Sequence, residues 1–173
     1  MKALFITPLE LKQRSIIDGN TDADKIIYQI EAAQDMHVQN YLGGSLYNKL
    51  QALKLSGDLE PSSAASDYKT LVDDYIKPML IWFTQLEYLP FAKFEINNGG
   101  VENHRNQNSD GVDYRDIERL QSKVSDRAEF YTKRFLDHIC NNSTKYPEYN
   151  SNVNGDMYPD KDANSFCSIV IWW

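Results

Sequence analysis

A short run of oxygen-bearing side chains near the C-terminus has the spacing of a metal site. Asp160, Asp162 and Asn164 match the first, third and fifth positions of a calcium-binding loop. Ser165 stands where the loop needs a glycine for its sharp turn, and Ile171 stands where a bidentate glutamate should close the site. The pattern therefore favours a solvated turn, and we expect no metal.

The histidines and the paired carboxylates form no recognisable catalytic set. His37 falls on the apolar face of a predicted helix and His138 on the last predicted helix, each without a second ligand at metal spacing. Asp73 and Asp74 are adjacent, and adjacent helical residues diverge by about 100°, so they should form a solvated face. We expect no catalytic residue and no cofactor. An enzyme assembled from scattered carboxylates and His37 is one alternative.

Charge and cysteine usage narrow the function classes. The chain has 18 Lys and Arg against 25 Asp and Glu, a net charge of -7, which argues against general binding to nucleic acid backbones. Cys140 and Cys167 lack the short spacings of metal or redox pairs, so we expect free thiols in a reducing cytoplasm. The N-terminus lacks the length and cleavage site of a signal peptide, and no apolar run approaches a membrane span.

A long helix from Ser66 to Phe94 should be the centre of the fold. Its apolar residues recur at alternating steps of four and three, which predicts a core-facing stripe. Pro78 removes a hydrogen-bond donor and should kink the helix near Asp74, while Gln85 falls on the polar arc. Because Trp82 lies in the middle of the stripe, Trp82→Ala should cost about 3 to 5 kcal/mol. The stripe consists of Tyr68, Val72, Tyr75, Met79, Trp82, Leu86 and Leu89.

The remaining pattern predicts an all-α fold, a small helical bundle around the central kinked helix. Asn97–Val112 is rich in Gly, Asn and Asp and lacks periodicity, so we expect a long polar loop. The chain should divide into a helical domain over 1–142 and an extended C-terminal arm over 143–173. The other predicted helices run from Thr7 to Arg14, from Asp22 to Gly43, from Ser45 to Gly57 and from Asp113 to Asn142.

The C-terminus is the candidate partner interface. It is rich in β-prone and aromatic residues, follows a polar tether and is too short to span a bilayer. One interpretation is a strap packed on the domain's own helices. The other is an arm that inserts into a neighbouring subunit or adds a strand to a partner's sheet. The interface residues are Phe166, Ile169, Val170, Ile171, Trp172 and Trp173.

The first third of the chain resembles a known family. A capped short helix leads through an Ile-Asp turn and an acidic pair to a long helix with Ala-Ala in its middle and a closing Leu-Gly. This order resembles the head-tail connector proteins of tailed phages, and the YLGGSLYNKL continuation is most similar to the ring proteins of crAss-like phages. The elements are Thr7 and Glu10, Ile17 and Asp18, Asp22 and Asp24, Ala32 and Ala33, and Leu42 and Gly43.

The resemblance implies an adaptor subunit of the virion neck, assembled in the host cytoplasm. Such a subunit would form a dodecameric ring on the portal protein and contact neighbouring neck or tail rings. Its channel would pass DNA without specific binding, which the acidic charge suits, and it would have no catalysis and no membrane. The alternative is a monomeric helical protein-binding or regulatory module.

Overall fold

The fold is all-α, as predicted, with one short β-hairpin. The computed structural model describes residues 2–17, 19–59, 66–92, 94–97, 100–103, 114–151 and 157–161. The α-helices are α1 (Pro8–Arg14), α2 (Ala23–Ala33), α3 (Gln39–Ser56), α4 (Ser66–Thr70), α5 (Lys77–Tyr88), α6 (Tyr114–Asn141) and α7 (Pro147–Asn150). The other elements are π-helical turns at Gln34–Val38 and Leu71–Ile76, a 3-10 turn at Ser143–Lys145, and strands β1 (Phe94–Asn97) and β2 (Gly100–Asn103).

The helix starts follow the predicted capping residues. The Thr7 hydroxyl accepts from the Glu10 backbone N–H at 3.2 Å, and the Glu10 carboxylate accepts from the Thr7 N–H at 3.1 Å. This capping box pairs two donors that the first turn of α1 would otherwise leave free. Asp22 caps α2 through the Asp24 N–H. Both predicted starts are confirmed.

The central helix is interrupted where Pro78 predicts it. Between α4 and α5 the chain widens into a π-turn, and the Lys77 N–H donates to the Val72 carbonyl five residues back. Pro78 has no N–H for the Asp74 carbonyl, so the regular ladder cannot pass this point. α5 then packs against both α2 and α6, which makes it the centre of the bundle.

Two residues of the central helix differ from their predicted environments. Gln85, placed on the polar arc, is fully buried, and its amide bonds the Ile16 N–H at 3.2 Å and the Ile81 carbonyl at 3.1 Å. Trp82 is only partly buried, and the Arg127 guanidinium lies over its ring. The periodicity placed both residues correctly on the helix but could not show which neighbours cover them.

The predicted polar loop begins with a β-hairpin. β1 and β2 pair antiparallel, with Asn97 opposite Gly100. The intervening sequence is Asn98-Gly99, the pair most typical of two-residue hairpin connections. The loop prediction is therefore wrong at Asn97 and at residues 100–103, because the turn signal was read as loop composition. Residues 104–112 lie outside the described residues.

The start of the predicted C-terminal arm belongs to the helical core. Tyr146 and Tyr149 are buried, and α7 packs on α3. The extended arm predicted from Ser143 is therefore wrong for residues 143–151, because two aromatic side chains there supply core surface. Cys140 is disulfide-bonded, so the predicted free thiol is also wrong at that position. Cys167 lies outside the described residues.

Candidate interaction surface

The predicted interface residues, Phe166 and Ile169 to Trp173, lie outside the described residues. The structure does describe residues 157–161, which we call the C-terminal strap. The strap crosses α3 at Gly43, where the helix is broken. The position from which the chain continues into the predicted interface is therefore defined.

The break in α3 creates the binding site for the strap. Gly43 adopts φ 70° and ψ 162°, a conformation open essentially only to glycine. In a continuous helix the Gly44 N–H would donate to the Asn40 carbonyl. Instead the Gly44 N–H donates to the Met157 carbonyl at 2.7 Å, and the Asp160 N–H donates to the Asn40 carbonyl at 2.9 Å. The strap thus pairs with the Gly44 N–H and the Asn40 carbonyl, two groups that would bond each other in a continuous helix.

Close packing adds to these hydrogen bonds. A β-carbon at Gly43 would lie 2.6 Å from Cδ of Pro159, so only glycine allows the strap to approach this closely. Lys161 places its ammonium 4.8 Å from the ring centre of Tyr149, and burial lowers the pKa of Lys161. The hydroxyl of Tyr149 is buried with no hydrogen-bond partner among the described residues. Hydrogen bonds, packing and a cation–π contact together fix the strap on α3 and α7.

A second candidate surface lies on α6. The Arg127 guanidinium lies 4.8 Å from the Trp82 ring centre, and the Arg134 guanidinium lies 5.0 Å from that of Tyr75. Both arginines are exposed, and neither forms an ion pair with a carboxylate in the described part of the chain. Phe130 lies between them with 63% of its surface exposed. These residues expose two cations and an aromatic ring on one surface of α6.

His138 links α6 to the residues after it. Its ring stacks on Tyr75 at 4.0 Å, and its Nε2 lies 3.1 Å from the Tyr146 hydroxyl. That hydroxyl donates to the Asp67 carbonyl, so it can accept from the Nε2–H of His138. Burial, followed by the charge of Lys145, lowers the pKa of His138. The arrangement fits the structural role expected of this histidine.

His37 also has structural partners. It stacks on Phe83 at 4.1 Å with the rings 7° from parallel, and its Nε2 lies 2.8 Å from a Glu87 carboxylate oxygen. One ring face is thus occupied by the core, which does not favour an active site at His37. Within the described ranges, no group of three or more His, Cys, Asp or Glu could hold a metal ion.

Asp73 is not on a simple solvated face. Its carboxylate binds Lys69 at 2.6 Å and Lys77 at 2.9 Å, and Lys77 also binds Glu10 at 3.0 Å. Although burial alone would raise it, the hydrogen bonds from the two lysines hold the pKa of Asp73 below its ordinary value. This network ties α1 to the central helix beside a cavity of about 140 Å³ that Lys54 also lines. The charged side chains of this cluster therefore mainly pair with one another.

No described helix is long and apolar enough to cross a membrane. A protein-family model described as a family of unknown function, DUF6712, matches residues 38–158. No curated protein and no solved structure matches the chain. Because the match covers most of the chain, from the end of the first π-turn into the strap, the protein belongs to the DUF6712 family.

Proposed function

We propose that this member of the DUF6712 family is a head-tail connector subunit of a tailed phage. It forms a ring on the portal protein, joins the portal to the neck or tail and surrounds the path of DNA. The observation that carries the proposal is the strap fixed at Gly43. A ring subunit needs a compact domain and a segment held where it can reach a neighbour, and the strap presents the apolar C-terminus from one defined position.

The residues behind the connector resemblance also have consistent structural roles. Thr7 and Glu10 cap α1, Asp22 and Asp24 open α2, and Gly43 breaks α3 at the closing Leu-Gly. These positions determine helix starts and a helix break, so they specify an architecture. They support an assembly role in which the helices act as a scaffold.

A second structural feature suits a contact protein. The chain leaves α5 at Tyr88, forms the hairpin and returns at Tyr114 to begin α6. Arg127 lies over Trp82 and Arg134 over Tyr75, so α5 and α6 run antiparallel. If residues of the two helices keep facing each other in this register, α6 begins beyond the level at which α5 ends. At a rise of 1.5 Å per residue, the first turns of α6 extend about 10 Å past the end of α5. This end of the bundle would contact the portal or the next ring.

The proposed ring has no catalytic role and binds DNA only in passing. A net charge of -7 per subunit would give the channel a surface that does not retain a polyanion. The proposed location is the virion neck, after assembly in the host cytoplasm.

A monomeric helical binding module is the second candidate. It is favoured by the same strap, because residues 157–161 pack on the chain's own domain. In that case the C-terminus would also fold back on the helices and no ring would form.

Mixing the purified chain with portal protein from the same virus tests the proposal. Sedimentation should show the chain moving with the portal as a defined ring complex, and a chain lacking residues 162–173 should fail to join it. The truncated chain keeps every described helix but also loses Cys167, the only cysteine besides the disulfide-bonded Cys140, so the full chain carrying Cys167→Ser is its control. Both variants should keep native helical circular dichroism, and only the truncated chain should fail to join the portal. A full chain that never moves with the portal would support the monomeric module instead.

A further inference from the structure

An acidic stripe on α2 has the opposite charge and the same spacing as the basic stripe on α6. Asp24 and Glu31 are exposed and seven residues apart, and Tyr28 lies between them with 72% of its surface exposed. At 100° per residue these three side chains lie within an arc of about 60°. The α2 stripe therefore presents two carboxylates around an aromatic ring.

The α6 stripe presents two guanidinium groups around an aromatic ring. Arg127 and Arg134 are also seven residues apart, and Phe130 lies between them within a similar arc of about 60°. In both stripes the charges are about 10.5 Å apart along the axis at 1.5 Å per residue. The aromatic residue is three positions after Arg127 but three positions before Glu31. The spacings therefore coincide when the two helices run antiparallel.

We propose that the α6 stripe of one subunit binds the α2 stripe of a second copy of this chain, with the helices antiparallel. This contact rests on the proposed ring and adds a second pair of surfaces to the C-terminal interface proposed above, so the ring would need both. The predicted pairs are Arg127 with Glu31, Phe130 with Tyr28, and Arg134 with Asp24 of the partner copy.

The arginines are preorganised for this contact. One face of each guanidinium lies over an aromatic ring of the central helix, which limits side-chain motion while leaving N–H donors unpaired by any described carboxylate. An arginine that is already ordered loses less entropy when a carboxylate binds it. The rings of Trp82 and Tyr75 thus limit the motion of the two arginine side chains.

Some of the other charges near the two stripes also favour the proposed contact, and others do not. In the same alignment Lys123 would meet Asp35, which already bonds Lys2 of its own chain. The exposed part of α6 from 123 to 137 also carries Asp126, Glu129, Lys133 and Asp137, and α2 also carries Lys25. Asp24 and Glu31 in α2, with Asp22 at its N-cap and Asp35 in the following π-turn, make this surface acidic overall, whereas cations outnumber carboxylates on this part of α6. The two surfaces attract each other more than either attracts itself.

The positions of the stripes suit a ring. α2 and α6 are different helices that both pack against α5, and each exposes its own stripe. A contact between two different surfaces is head-to-tail, and repeating it with a closing rotation generates a ring. Each subunit would then have one neighbour on α2 and another on α6.

Charge reversal tests the contact directly. The variants Arg127→Glu/Arg134→Glu and Asp24→Arg/Glu31→Arg should each associate on the order of 100-fold more weakly than the wild type, because like charges then face each other. Mixing the two variants restores opposite charges at every interface of an alternating ring. The mixture should therefore associate within about 10-fold of the wild type, and added salt should weaken both.

The matched control for the arginine reversal is Arg14→Glu/Lys49→Glu, which makes the same change in net charge as that variant at exposed positions outside both stripes. It should associate like the wild type, and circular dichroism should show native helix in every variant. A wild-type ring that survives either stripe reversal would overturn the contact while leaving the connector proposal intact. A mixture no better than the separate variants would also overturn it. A wild type that stays monomeric alone and with portal would overturn both proposals.

Discussion

Replacing Gly43 with alanine should release the strap and destabilise the fold. Alanine at φ 70° and ψ 162° costs about 1 to 3 kcal/mol, because this region is essentially restricted to glycine. Its β-carbon would also lie 2.6 Å from Pro159 Cδ, which forces the strap away and removes two hydrogen bonds worth about 1 kcal/mol each. Partial relaxation offsets some of this, so the expected loss is about 2 to 4 kcal/mol.

Gly57→Ala is the matched control. Gly57 ends α3 at φ 80° and ψ 5°, with no atom within 4 Å of an added β-carbon. Gly57 shares the positive φ of Gly43 but not its close packing against another segment. Alanine at Gly57 should therefore lower the free energy of unfolding by only about 1 kcal/mol. The difference between the two variants isolates the contact with the strap.

Urea unfolding followed by circular dichroism measures both losses, and hydrogen exchange reports the strap separately. The Gly44 amide, which donates to Met157 in the native protein, should lose protection in Gly43→Ala but keep it in Gly57→Ala. Pro159→Ala should recover part of the loss in the Gly43→Ala background, since it removes the two nearest carbon atoms. Equal stabilities for the two glycine variants, with Gly44 still protected, would refute this account of the strap.

Three further predictions concern single side chains. Trp82→Ala should cost about 1 to 2 kcal/mol in urea unfolding, because the ring is only partly buried; a loss of 4 kcal/mol or more would show core burial. Tyr149→Phe should leave the melting temperature equal or higher, by up to about 1 kcal/mol in stability, since the buried hydroxyl has no described partner; clear destabilisation would reveal a missed bond. The folded pKa of His138 lies below its unfolded value of 6.5, so its contribution to stability is complete above pH 6.5 and should decline as the pH falls from there through the lowered folded pKa. His138→Gln should remove that decline. The stability that Glu10 and Asp73 contribute is lost at lower pH, around and below their unfolded pKa values of 4.5 and 3.8. The same dependence of stability on pH in the wild type and in His138→Gln would reject the assignment.

Local chemistry explains which parts of the fold were predictable. Thr7 with Glu10, Asp22 and Pro78 act within one or two turns of their own chain, and the helix starts and the interruption of the central helix follow from them. Gly43 was correctly predicted as a helix break. Its local signal could not show that the two groups released there would bind residues more than a hundred positions later.

The remaining differences arise from long-range packing and from one missed turn. Gln85 can be buried because its amide accepts from the Ile16 N–H and donates to the Ile81 carbonyl, and no periodicity in the central helix reveals the partner at Ile16. Tyr146 and Tyr149 are core residues in a segment whose Asn, Ser and Pro content is typical of loops. The hairpin was available from sequence, since Asn98-Gly99 lies between two β-compatible runs. The predicted interface residues lie beyond the strap, so their role remains a prediction.

Native mass measurement tests the central claim most directly. The full chain and a chain ending at Lys161 would be compared by light scattering, alone and with portal protein. The connector account predicts a ring, formed alone or on the portal, that is lost on truncation while helical circular dichroism persists. A monomer mass for both chains under all conditions, which is 20.0 kDa for the full chain, would contradict a ring subunit and favour the monomeric module.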